Sequence, residues 1–142
     1  MLDNIIAKLS TAMTLTVESK DVSSFLGIQF TRKGDTIELL QTGLINKIMA
    51  ATGMKDCNPK STPADPKPLG KEKTGKLLAQ EWGYASVVGM LLYLSGNSRP
   101  DIAFAVNGTH DPTNSHATTV KRIVKYLQAT KDHGLVFKPS MD

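Results

Sequence analysis

A chain of 142 residues with 40% hydrophobic and 21% charged side chains has the length of one domain and ordinary globular usage, which excludes disorder over its whole span. Its net charge of +4 is uneven: residues 1–58 balance to zero, residues 59–80 set five lysines against Asp65 and Glu72, and Lys121, Arg122 and Lys125 cluster near the end. One cysteine, Cys57, excludes an internal disulfide framework and a paired-cysteine zinc site. The longest apolar run, Val87 to Leu94, holds Gly89 and falls well short of the ~20 residues of a membrane span. Met1-Leu2-Asp3-Asn4 lacks the basic region and long apolar stretch of a secretory signal. The expected setting is intracellular, cytoplasm or nucleus, with no membrane partner and no secretion.

Leu2, Ile5, Ile6 and Leu9, followed by Ala12 and Met13, predict an amphipathic helix with Lys8 and Ser10 outward. Thr14 to Val17 alternates like a short strand. Phe25 to Thr31 reads as a strand, Lys33-Gly34-Asp35 as a turn, and Thr36 to Leu40 as the returning partner. A second helix follows, with Leu44, Ile45, Ile48 and Met49 on one face and Asn46 and Lys47 on the other, closed by Gly53 in the left-handed conformation. Pro59, Pro63, Pro66 and Pro68, interleaved with lysines, hold the next stretch extended as a linker over the surface.

Glu81 to Gly96 is apolar nearly all round, which predicts a buried helix, with Gly89 as a close-packing position. Ser98-Arg99-Pro100-Asp101 reads as a helix start, Ser98 capping and Pro100 in the first turn; that helix runs briefly from Ile102 to Asn107 before Gly108. Asp111-Pro112-Thr113 is a loop. The last helix, Ser115 to Thr130, sets Val120, Ile123, Val124 and Leu127 opposite Thr118, Lys121, Arg122 and Lys125 at ~100° per residue. Gly134 ends it, and Leu135-Val136-Phe137 forms a terminal strand.

Few of these residues suggest chemistry. His110, His116 and His133 lack the carboxylate or cysteine that would complete a tetrahedral metal site. No serine or cysteine sits on a nucleophile elbow, and Gly70-Lys71 and Gly75-Lys76 lack the rest of a phosphate loop. Cys57 fits as a small residue packed where helix meets linker. A basic stripe opposite an apolar one suits either solvent or a phosphate backbone.

An ordered series of motifs resembles the Ty1/copia class of retrotransposon reverse transcriptases. It comprises Phe25-Leu26-Gly27-Ile28, Gln41 with Ile45 and Ile48, Gly53-Met54-Lys55-Asp56-Cys57 and Ser61-Thr62-Pro63. It continues with Tyr84 leading to Val88-Gly89-Met90-Leu91-Leu92-Tyr93-Leu94, then Arg99-Pro100-Asp101-Ile102-Ala103. Pro112 with His116, Lys121 to Leu127, and Thr130 with Gly134-Leu135 complete it.

The resemblance implies an α+β fold: a β-hairpin from the end of a palm, then a mostly helical thumb- or connection-like region. Residues 1–57 correspond to a palm remnant with primer-side hairpin and first following helix, residues 58–80 to a Pro/Lys-rich linker, and residues 81–142 to the helical region. It also implies RNA–DNA or DNA template–primer duplex as partner, with the remaining palm, fingers and RNase H parts of the polyprotein. Phe25, Leu26 and Gly27 match the primer-side hairpin. Lys121, Arg122 and Lys125 are the expected phosphate contacts, with Lys47 and Arg99 as further candidates, although Arg99 equally suits a structural tie to Asp101 or a helix end. The complete polymerase uses Mg²⁺ held by palm aspartates, including an adjacent pair. This chain contains no adjacent aspartates, so no cofactor and no catalytic residue is expected within it. Between Asn107 and Pro112 it is about four residues shorter than the family pattern, close to one helical turn. The alternative reading is a retrotransposon-derived remnant serving as a protein-interaction module, or without function.

Overall fold

Two turns of two residues each build the sheet. In the computed structural model, which describes residues 2–13, 24–66, 82–109 and 113–139, β1 (Ser24–Phe25) pairs antiparallel with β2 (Ile28–Lys33), Phe25 facing Ile28. Leu26 and Gly27 between them have φ of +50° and +78°, the positive pair whose backbone twist matches the twist of the flanking strands. The unbroken strand expected from Phe25 to Thr31 is therefore divided. Leu-Gly lacks the Asn-Gly or Asp-Gly signature by which such a turn is read. The second turn is the expected one: Lys33 faces Thr36 across Gly34-Asp35, with Gly34 at φ +60°, leading into β3 (Thr36–Leu40).

The predicted terminal strand joins the same sheet. β4 (Leu135–Phe137) pairs antiparallel with β3, Leu39 facing Leu135 and Ile37 facing Phe137, in the strand order β1-β2-β3-β4. Side chains alternate between faces along a strand, so this register collects Ile28, Phe30, Ile37, Leu39, Leu135 and Phe137 on one side, with Arg32 opposite Ile37. Ile37 and Phe137 there remain exposed. Gly134 permits the junction with β4: a Cβ would collide with the Leu39 carbonyl oxygen and lie 2.8 Å from Leu40 Cδ2.

Helices form at the expected places. The first, α1 (Leu2–Ala12), leaves Ile5, Leu9 and Met13 exposed. The strand expected over Thr14 to Val17 lies outside the described residues. Next comes α2 (Thr42–Ala51), with Ile45, Ile48 and Met49 buried. Gly53 closes it at φ +66°, its N–H donating to Ala50 O at 3.2 Å while Met54 N–H donates to Met49 O at 2.9 Å. Those two bonds satisfy carbonyls that the helix end leaves open, and Met54 packs onto the core.

Then follow α3 (Tyr84–Asn97), a 3₁₀ turn (Pro100–Ile102), α4 (Ala103–Asn107) and α5 (Asn114–Ala129). One apolar cluster joins Ile45, Ile48 and Met49 of α2 to Val87, Leu91, Leu94, Ile102, Val106, Val120, Ile123, Val124 and Leu127. Burying each such side chain contributes roughly 1.5–3 kcal/mol. The core thus takes residues from both sides of the Pro/Lys-rich stretch.

Two elements differ from what the sequence predicts. Only one side of α3 is buried, through Tyr84, Val87, Leu91 and Leu94, while Ala85, Ser86, Gly89, Leu92, Tyr93 and Gly96 face outward. A Cβ on Gly89 would meet nothing within 4 Å, so that glycine is not a close-packing position. Apolar composition on both sides conceals which side the neighbours cover. Ser98 does not cap the following turn: it ends α3, and its hydroxyl donates to Gln41 Oε1 at 2.7 Å in the interior.

Replacing Gly134 with alanine is expected to cost about 2 kcal/mol through the clash with β3, a fall of roughly 6 °C in Tm. An unchanged melting temperature would contradict this view of the β3–β4 junction.

Candidate nucleic-acid interface

The hairpin residues Phe25, Leu26 and Gly27 come together at an exposed apex. Leu26 is 70% exposed and Phe25 60%. Left-handed backbone costs a residue with a Cβ roughly 1–2 kcal/mol, and exposure returns nothing to Leu26 through burial. The apex is held by the outward side of α3: Tyr93 Oη donates to the Leu26 carbonyl at 2.9 Å. That bond joins the hairpin apex to the open side of α3, on which Leu92 and Tyr93 are exposed.

On α5 Lys121 is exposed, whereas Arg122 and Lys125 are half-buried at the helix flank. Sequence reasoning missed what lies against them. Arg122 Nη1 contacts Asp65 Oδ1 at 2.8 Å, and Nη2 donates to Thr62 Oγ1 at 2.9 Å. The Lys60 N–H donates to the Lys125 carbonyl at 3.2 Å. Over residues 58–66 the predicted linker is thus laid along α5, with Pro63 and Ala64 half-buried. Partners separated by 60 positions leave no local trace in a sequence. Lys47 is exposed on α2.

Arg99 is not presented to any ligand. It is 2% exposed, and its guanidinium donates to both Asp101 carboxylate oxygens, at 3.0 and 2.8 Å, and to Thr130 O and Oγ1, at 2.8 and 2.7 Å. Its charge also lies 5.4 Å from the Tyr126 ring centroid. This is the structural tie to Asp101 and to the end of α5, with almost every donor committed. Tyr126 Oη donates to Asp101 Oδ2 at 2.8 Å. Burial alone would push the Asp101 carboxyl up, but hydrogen bonds from Arg99 and Tyr126, with the Arg99 charge, hold it below its ordinary value. Burial, then the hydrogen bond to Asp101 and its negative charge, push the Tyr126 hydroxyl up.

His116 is buried and shares a hydrogen bond with the Thr113 hydroxyl, while His133 is exposed; His110 lies outside the described residues. Cys57 is half-buried. Among the described residues no three histidine, cysteine, aspartate or glutamate side chains converge. No described helix is long and apolar enough to cross a membrane. The helix α4 stops at Asn107 and Thr109 closes the end, its hydroxyl donating to Val106 O and its own carbonyl accepting from Tyr84 Oη at 2.8 Å.

Among known proteins, the chain is 34% identical over 142 aligned residues, 97% of its length, to a retrovirus-related Pol polyprotein from transposon RE1 of Arabidopsis thaliana. An uncharacterized mitochondrial protein of the same plant is 34% identical over 95% of the chain, which spans 57% of that relative. A retrovirus-related Pol polyprotein from transposon TNT 1-94 of Nicotiana tabacum is 30% identical over 94% of the chain. No family model and no solved structure matches. The chain belongs to the copia-type retrotransposon Pol polyproteins, as a fragment of them. It spans about a tenth of the length of the transposon polyproteins it matches.

A depressed aspartate stabilises the fold above its unfolded-state pKa and loses that contribution as pH falls through the folded-state value. A raised tyrosine stabilises below its unfolded-state pKa and loses its share as pH rises through the folded-state value. Urea unfolding across pH should therefore show an acid limb that Asp101→Asn flattens and an alkaline limb that Tyr126→Phe flattens. Tyr126→Phe should also cost about 1 kcal/mol at neutral pH. Superimposable pH profiles for parent and variants would refute the coupling.

Proposed function

We propose that this retrotransposon Pol fragment holds template–primer nucleic acid and performs no chemistry itself. The hairpin and open α3 face lie along the duplex, and the lysines of α5 and α2 contact phosphate. The observation that carries this reading is the apex. Leu26 combines a disfavoured backbone with an exposed side chain, and Tyr93 supports it in that state. Strain retained at an exposed, externally supported position is characteristic of binding sites. Gly89 and Gly96 on the adjacent α3 face have open space where a Cβ would lie, which allows a sugar–phosphate backbone close approach. In this reading residues 1–57 act as palm remnant and residues 81–142 as thumb, in the cytoplasm or nucleus, and the Mg²⁺ chemistry belongs to other parts of the polyprotein. A protein-interaction module is the second reading, favoured by the exposed Ile37 and Phe137 that face each other on one side of the sheet.

Fluorescence anisotropy with a labelled RNA–DNA hybrid tests the choice. Affinity should fall steeply with salt, the logarithmic slope being roughly −0.9 per neutralised phosphate. Joint Lys121→Gln and Lys125→Gln substitution should reduce that slope by about 2. Absence of salt-dependent binding would overturn the reading, and light scattering that shows salt-resistant self-association would then support the interaction module.

A further inference from the structure

We propose that residues 58–66 form an internal strap that occupies a phosphodiester position at Arg122, and that a bound nucleic-acid strand displaces it. The proposal rests on the nucleic-acid reading above and adds to it a device that regulates access to the α5 face.

Geometry at Arg122 is the first ground. Its two terminal nitrogens each meet one oxygen of the strap, Asp65 Oδ1 at 2.8 Å and Thr62 Oγ1 at 2.9 Å. A guanidinium fork filled by two oxygens is the arrangement that recognises the two non-bridging oxygens of a phosphodiester. Lys121 and Lys125 lie one residue before and three after Arg122 on the same helix, so a strand settling there meets three cations.

Looseness is the second ground. The Asp65 side chain is 63% exposed and that of Arg122 23%, and ion pairs open to solvent in this way hold weakly. Arg122 Nε is buried with no hydrogen-bond partner among the described residues, so the strap satisfies the guanidinium only at its two terminal nitrogens. Arg99 in the same chain marks the contrast: it is 2% exposed, with bonds from all three of its nitrogens. Besides the Arg122 contacts, the Lys60–Lys125 backbone bond, half-buried Pro63 and Ala64, which packs against the core cluster, retain the strap. Pro63 donates no hydrogen bond that would fasten it further.

The test uses the whole chain, a fluorescein-labelled RNA–DNA hybrid, and hydrogen exchange at the Lys60 amide. Asp65→Asn keeps the shape of the strap but removes the competing charge. It should tighten binding about two- to fivefold at low salt, and that gain should vanish in an Arg122→Gln background. Hybrid at saturation should accelerate exchange of the Lys60 amide, which the Lys125 carbonyl protects in the free chain. If the parent binds with the expected salt dependence while Asp65→Asn binds no better and the Lys60 amide stays protected, the strap is a fixed structural element and the proposal fails alone. If the parent shows no salt-dependent binding, the nucleic-acid reading fails and the proposal with it.

Discussion

Arg99 brings a permanent positive charge into the interior, and the surrounding chain is arranged to meet it. An arginine does not neutralise itself by losing its proton, so its burial requires acceptors on several sides. Pro100 starts the 3₁₀ turn that carries Asp101 back onto the guanidinium within two residues. Thr130, at the C-terminal end of α5, supplies a carbonyl and a hydroxyl. The end of a helix presents unsatisfied carbonyls and partial negative charge, where a cation is stabilising. One side chain thus fixes the exit of α3 against the exit of α5.

That tie sets the geometry downstream on both branches. From the end of α5 the chain passes Gly134 into β4, which pairs with β3 and so orients the sheet. On the other branch α3 presents Tyr93 to the hairpin apex. The apex meets the open side of α3 through the Tyr93 hydroxyl, and Arg99 anchors the C-terminal exit of that helix. Two arginines divide the labour: Arg99 organises the fold, and Arg122, half-buried on α5, is covered by a solvent-open pair with Asp65.

Much of this was legible in the sequence because the determining forces are local. Gly34 and Gly53 announce a turn and a helix end through their backbone freedom, and the apolar stripe of α5 follows from period alone. Leu26-Gly27 was not legible, since a leucine in a left-handed position contradicts its own preference and the Tyr93 hydroxyl that holds its carbonyl lies 67 positions away. The open side of α3 was hidden because Leu92 and Tyr93 are as apolar as the residues that are buried. Ser98 had the composition of a cap but its hydroxyl is claimed by Gln41, 57 positions away. At the site, the basic face of α5 was readable and its covering was not, because the contacts from Thr62 and Asp65 to Arg122 depend on tertiary placement.

The most direct measurement is urea unfolding of Arg99→Met combined with hydrogen exchange, the substitution keeping the bulk of the side chain without its donors. If the interior charge organises the molecule, stability falls by about 3 kcal/mol and protection is lost first in β4 and the end of α5, then in the hairpin. A variant as stable as the parent, with β4 amides equally protected, would show that the helices and sheet hold their relation without it.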